Sequence, residues 1–210
     1  DGESNTALGF FALSNNVSGD NNTAVGFGTL SFGGEGFDNT AIGKDALLFN
    51  RNSRNTAVGE EAGKANTTGF DNTFIGHEAG LSNTTGQRNT FLGEQAGREN
   101  TTGDFNTFVG ENTGYRNDTG EGNVFVGRFA GFQNITGGSN TFMGVEAGLN
   151  NKGSNNVFLG HSAGRSNSGG GSNVFVGLST GVSNTSGSRN VFLGQGAGNA
   201  IETGSDNTFV

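Results

Sequence analysis

Two histidines, His77 and His161, are the only imidazoles in the chain, and there is no cysteine. Both histidines hold the same position of a repeated phrase, five repeats apart. At a strand-to-strand spacing of ~4.8 Å this separates them by about 24 Å, too far to share a metal or a substrate. They are expected to be solvent-facing turn residues. No serine stands in a nucleophile-elbow sequence, and the many G-x-G fragments are not followed by a helix that could cradle a phosphate. The nine-residue G-G-x-G-x-D calcium motif is also missing. No catalytic residue, metal ligand or cofactor site is therefore assigned, and the chain is not expected to be an enzyme.

The polar residues with regular spacing are asparagines. N-x-[ST] occurs at Asn66, Asn83, Asn100, Asn117, Asn134 and Asn184, among others. In a secreted eukaryotic protein these could carry sugars; in a bacterial one they are turn residues, the reading favoured here. Threonines also recur in a column, which raises an ice-binding face. The frequent valine in that column and the lack of a paired T-x-T rank argue against it. Charged residues, among them Glu60, Glu61, Glu94, Arg98, Glu99, Arg116, Glu121 and Arg128, fall at the variable places. They read as a solvated coat, and any receptor or glycan specificity would have to reside there.

These residues are positioned by an internal repeat. An Asn opens each phrase at Asn5, Asn22, Asn39, Asn55, Asn72, Asn89, Asn106, Asn123, Asn140, Asn156, Asn173, Asn190 and Asn207, and ten of the twelve intervals are 17 residues, the other two 16. The consensus is N-[TV]-[AF]-[VILM]-G-x-x-[AT]-[GL]-x-x-N-x-x-G-x-x, with Gly fifth in every complete unit. Both short units lose the residue after the second Asn, which marks a loop on the outside. The apolar block of three or four residues between Asn and Gly reads as a short strand. A unit this short, with Gly-rich turns, describes one coil of a parallel β-solenoid. About twelve coils would make a rod on the order of 60 Å long.

Composition agrees with a thin repeating structure. Gly accounts for 41 of 210 residues, Pro, Cys and Trp are absent, and hydrophobic residues make up 30%. The net charge of −8 argues against nucleic-acid or anionic-membrane partners. No stretch approaches 18 apolar residues, so membrane insertion is not expected in this segment. The chain begins in mid-phrase and stops at Val210, which reads as a window cut from a longer protein. It is expected to be one all-β domain over 1–210, with Ala-type coils over 1–62 and Phe-type coils over 63–210.

In register, the opening asparagines (Asn72, Asn89, Asn106, Asn123, Asn140, Asn156, Asn173, Asn190) should form an amide ladder, and the second Asn of each unit another at a turn. Asn and Gly tolerate the positive φ of tight corners. Alternation along the strand gives two apolar faces. The near-isosteric Thr/Val exchange at the second place suits a snug interior slot, so that face is assigned inward. Phe74, Phe91, Phe108, Phe125, Phe142, Phe158, Phe175, Phe192 and Phe209 would then lie outside their own coil, as one stripe that marks an interface between identical chains. With the facing reversed, a Thr/Val–Ile/Leu stripe would still be left outside. Units with Ala third (Ala7, Ala24, Ala41) have Leu ninth, and units with Phe third have Gly ninth. Both places therefore fill one space, in one chain or between two.

The phrases NTAVG, NTAIG and NTALG resemble the S-V-A-I-G element of the head repeats of trimeric autotransporter adhesins. NTAIGKDALLFN and NTFIGHEAGLSNTTG are similar to repeats of trimeric tail-fibre proteins. The resemblance covers essentially all 210 residues. It implies a left-handed parallel β-roll, three chains packed side by side as a homotrimer or a longer fibre, and an extracellular, cell-surface or appendage location. It also implies that Ala7, Ala24, Ala41 and the Phe74-type positions face the trimer axis. The expected function is a shaft or adhesive fibre segment, with a possible host-surface, matrix or glycan ligand. The alternative is a monomeric carbohydrate- or ice-binding solenoid.

Overall fold

The strands are short because the repeat bounds them tightly. An Asn whose side chain is committed to hydrogen bonds stands before each one, and a Gly with φ between 113° and 140° stands after each of the first twelve. A computed structural model describes residues 2–210; Asp1, the first residue of the expected 1–210 domain, lies outside them. The elements in chain order are β1 (Thr6–Leu8), β2 (Thr23–Val25), β3 (Thr40–Ile42), β4 (Thr56–Val58), β5 (Thr73–Ile75), β6 (Thr90–Leu92), β7 (Thr107–Val109), β8 (Val124–Val126), β9 (Thr141–Met143), β10 (Val157–Leu159), β11 (Val174–Val176), β12 (Val191–Leu193) and β13 (Thr208–Phe209). They form one parallel sheet in the order β1 to β13. The chain is an all-β parallel solenoid of about twelve coils.

Register is exact repeat on repeat: Thr73 pairs with Thr90, Phe74 with Phe91 and Ile75 with Leu92. The turns are laddered as well. Glu78 N–H donates to the Glu60 carbonyl of the preceding coil at 2.9 Å, and Gly80 N–H to the Ala96 carbonyl of the next at 2.9 Å. Backbone groups outside the strands thus also find partners along the rod, which buried peptide groups require.

Left-handed backbone recurs at the seventh and seventeenth places, where most residues are not glycine. Glu78 and Gln95 (φ 54° and 55°) and Asp71 and Arg88 (58° and 55°) are examples. The ladder asparagines do not adopt positive φ, contrary to the expectation that they turn the corners. The fifth-place Gly has a different reason to be invariant. Its φ is one that side chains rarely adopt, and a Cβ on Gly93 would sit 2.5 Å from the Gly110 carbonyl oxygen of the next coil. No side chain can yield there, because the obstacle is backbone.

The facing of the strands is the reverse of the expected one. Phe74, Phe91, Phe108, Phe125, Phe142, Phe158, Phe175 and Phe192 are fully buried within the single chain, as are Ala24 and Ala41. Ala7 on the first coil and Phe209 on the last are exposed. The third place therefore fills the coil interior and cannot line an axis between chains. Thr/Val at the second place and the aliphatic fourth place point outward instead.

From Phe91 to Phe192 successive rings lie 4.6–4.9 Å apart and within 10° of parallel. The ninth-place Gly lies beneath this stack. A Cβ on Gly97 would meet Phe91 Cε2 at 2.5 Å, and one on Gly114 would meet Phe108 Cε2 at 2.5 Å. The reciprocal choice of large and small residues at the third and ninth places is thus packing inside one coil of one chain.

Candidate functional site

Two asparagine ladders hold the coils in register, and they differ. In the second-Asn ladder, amide donates to amide from Asn66 to Asn50 and onward through Asn83, Asn100, Asn117, Asn134, Asn151 and Asn167, at 2.7–3.0 Å. Most of the same Nδ2 groups also donate to a glycine carbonyl, as Asn83 does to Gly86 at 2.9 Å. The ladder lapses at Asn184, whose buried amide has no partner. In the first-Asn ladder the side-chain oxygen instead accepts the next coil's backbone N–H. Asn89 donates to Asn72 in this way at 2.9 Å, and Asn106 to Asn89 at 2.9 Å. The pattern continues through Asn123, Asn140, Asn156, Asn173 and Asn190.

These bonds bear on the sequons. Asn66, Asn83, Asn100, Asn117, Asn134 and Asn184 are completely buried. A glycan must leave the side-chain nitrogen toward solvent, so this packing has no room for one at any of the six positions. The repeat alone could not reveal this, because an N-x-[ST] triplet looks the same on a surface turn and in an interior ladder.

The outer strand face carries an aliphatic column along the sheet. Its fourth-place column includes Ile42, Ile75, Leu92, Met143 and Leu193, each 36–46% exposed, and Val124 of the second-place column is 38% exposed. Beside this column stand threonines without a break from Thr6 to Thr107, then Val124, Thr141, Val157, Val174, Val191 and Thr208. Each aliphatic side chain is pinned by its in-register neighbours but left open on the side away from the coil.

Charged residues lie along the turns, as the variable places suggested. Arg189 makes two bonds of 2.7 Å to Asp206, Arg54 Nε lies 2.6 Å from Asp71, and Arg98 Nε lies 2.7 Å from Glu78. The hydrogen bond from Arg98 holds the Glu78 carboxyl below the usual glutamate range, and that from Arg54 does the same for Asp71. Such shifts run away from neutrality, the wrong direction for a general acid or base. His77 and His161 are exposed and belong to separate coils. Among the described residues no three His, Asp or Glu side chains come together as a metal site.

A further surface escaped the sequence reading. Only nine of the 19 phenylalanines belong to the third-place column. In the first three coils Phe10, Phe11, Phe27, Phe32, Phe37 and Phe49 are all exposed on turns. The signal was available: a phenylalanine excess at variable places that carry charges in later coils. No protein-family model matches the chain, and no curated protein matches it.

Proposed function

We propose that this segment is a shaft or fibre element of an extracellular appendage or cell-surface adhesin, in which parallel copies associate side by side as a homotrimer. The carrying observation is the outer strand face. It runs the length of a 13-stranded sheet, and three residues of width over that length give roughly 600 Å² of face, with an aliphatic column throughout and threonine at nine of the thirteen second places. Monomeric proteins rarely leave an apolar patch larger than a few hundred Å², and a standard interface takes about 800 Å² from each partner. The face that joins the copies is thus the Thr/Val and aliphatic one, since the phenylalanines are used inside. In-register columns suit a parallel partner, because every rung meets an equivalent rung. The stacked ladders supply stiffness along the rod.

A second reading is favoured by one feature: threonines on a flat, outward β-face are the geometry of an ice-binding surface. The mixed Val, Ile, Leu and Met of the neighbouring column break the regular lattice such a surface needs, so protein association is preferred.

Light scattering tests the two. The first reading expects three times the 21.4 kDa chain mass, falling to one chain when Leu92→Lys and Met143→Lys are introduced together, with the thermal unfolding of each coil preserved. A wild-type monomer that depresses freezing would establish the second reading and overturn the first.

A further inference from the structure

The first three coils differ from the rest at the turn between the strand and the second Asn. Several later coils carry charge there, as in Glu60, Glu61 and Lys64, or Glu94, Arg98 and Glu99. The first coils carry Phe10 and Phe11, then Phe27, Gly28 and Phe32, then Lys44, Asp45, Leu48 and Phe49, so that charge enters only with the third coil. The aromatic residues form two walls. On one side Phe11 stands edge-on to Phe27, with ring centroids 6.2 Å apart at 75°; on the other Phe32 stacks on Phe49 at 5.6 Å. Between the walls is a groove of about 550 Å³, whose lining includes Phe11, Phe27, Phe32, Leu48, Gly28 and Asp45. That volume is in the range of small-molecule sites.

The groove exists because Gly28 interrupts the seventh-place column. Phe11, Asp45, Glu61 and Glu78 fill this place in neighbouring coils, and Gly28 leaves a notch. The Asp45 carboxylate leans over it, close enough that a Cβ on Gly28 would strike its Oδ1. Asp45 is mostly buried; Lys64 Nζ lies 3.9 Å from Oδ2, and the adjacent Lys44, whose ammonium bonds Glu60 at 2.8 Å, acts on it only through space. Lys64 gives its short bond, 2.7 Å, to Glu61 instead. An anionic oxygen without a hydrogen-bonding cation thus faces a pocket walled by aromatic rings.

We infer that this groove binds a small quaternary ammonium of the choline type. Aromatic faces attract a cation through the ring quadrupole, and the attraction grows as the site is desolvated. The carboxylate supplies the counter-charge. Ser14, Asn15 and Ser31 also line the groove, but the two serine hydroxyls bond each other at 2.7 Å and Asn15 Nδ2 donates to the Ser31 carbonyl at 2.7 Å. The rest of the lining is mainly apolar, which matches methyl substituents on nitrogen better than a polyhydroxylated sugar. The net charge of −8 raises the local cation concentration. The site is on a turn, away from the outer strand face, and does not depend on self-association.

Isothermal titration calorimetry with choline tests the inference. Saturable binding is expected. It should be about ten-fold weaker for dimethylbutanol, the neutral carbon isostere, and about ten-fold weaker for choline with Asp45→Asn. Gly28→Gln fills the notch and should abolish binding. The backbone tolerates both changes, since Gln95 and Asn112 hold the same place in other coils at φ 55° and 54°, against 67° at Gly28. Unchanged melting of both variants checks that they fold. Absence of saturable heat with choline, equal binding of the neutral isostere, or choline binding indifferent to Asp45→Asn would overturn the proposal.

Discussion

The coils built on Ala24 and Ala41 and those built on Phe91 to Phe192 fill the same interior space by opposite means. In the first set a ninth-place leucine, Leu30 or Leu47, enters from the turn and is buried over a small strand residue. In the second the strand supplies a phenylalanine, and the turn retreats to a glycine. Leucine accepts the left-handed backbone at this place, with φ 49° at both Leu30 and Leu47, against 58° for Gly97 and Gly114. Glycine in the later coils is therefore needed for space more than for backbone freedom. What is held constant is occupied volume, and either side of the coil can provide it.

The junction coil shows the same rule. Its third-place Ala57 and ninth-place Gly63 are both small, which would leave a void. Phe74 of the next coil leans into it: a Cβ on Gly63 would meet Phe74 Cδ2 at 2.5 Å and Leu47 Cδ2 at 3.0 Å. The tilt is visible in the stack. Phe74 and Phe91 lie 5.5 Å apart at 35°, whereas Phe91 and Phe108 lie 4.9 Å apart at 6°.

The comparison can be broken most severely by a double-mutant cycle. Phe91→Ala should cost about 3–4 kcal/mol through the cavity it leaves, and Gly97→Leu about 2–3 kcal/mol through overpacking. The double variant rebuilds an Ala/Leu coil, so its cost in urea denaturation should be well below the sum, with a coupling of roughly 2 kcal/mol. Additive losses would show that the two places do not share a space.

The ladders test whether anything else separates the regions. Asn50 bonds its neighbours in an Ala-type coil as Asn100 does in a Phe-type one. Replacing either by Ala strands buried amide groups and should lower stability by about 2–3 kcal/mol. The two losses should agree closely, and a clear inequality in denaturation midpoints would mean that the core type also tunes the ladder.

The smallest effect is expected at the junction. Gly63→Leu converts the transitional coil to the Ala/Leu type and pushes Phe74 toward the parallel stack, where it already covers Gly80. A loss of about 1 kcal/mol is expected, less than for Gly97→Leu, because the displaced ring belongs to the next coil and has somewhere to go. A loss as large as at Gly97 would show that Phe74 is fixed in its tilt.

The 17-residue phrase by itself determined the parallel stacking, a short strand between each Asn and Gly, the asparagine ladders and the pairing of the third place with the ninth. Each of these follows from identical residues recurring at one interval, which stacks like on like. It did not determine which side of the strand faces in. Alternation separates Thr73 and Ile75 from Phe74 without a sign, and both sets are apolar enough to be dry. The exchange of Phe91 with Gly97 for Ala41 with Leu47 showed that the two places share a space, but a partner's identical ninth place could have supplied that volume, so only the buried rings of the single chain give the sign. The curl of the backbone decides the matter in space: left-handed residues such as Glu78 and Asp71, with Gly76 between strand and turn, bend the chain toward the phenylalanine side. The aromatic groove was equally a tertiary outcome, because Phe11, Phe27 and Phe32 stand in different units or different places and only the stacking of coils brings them to one notch.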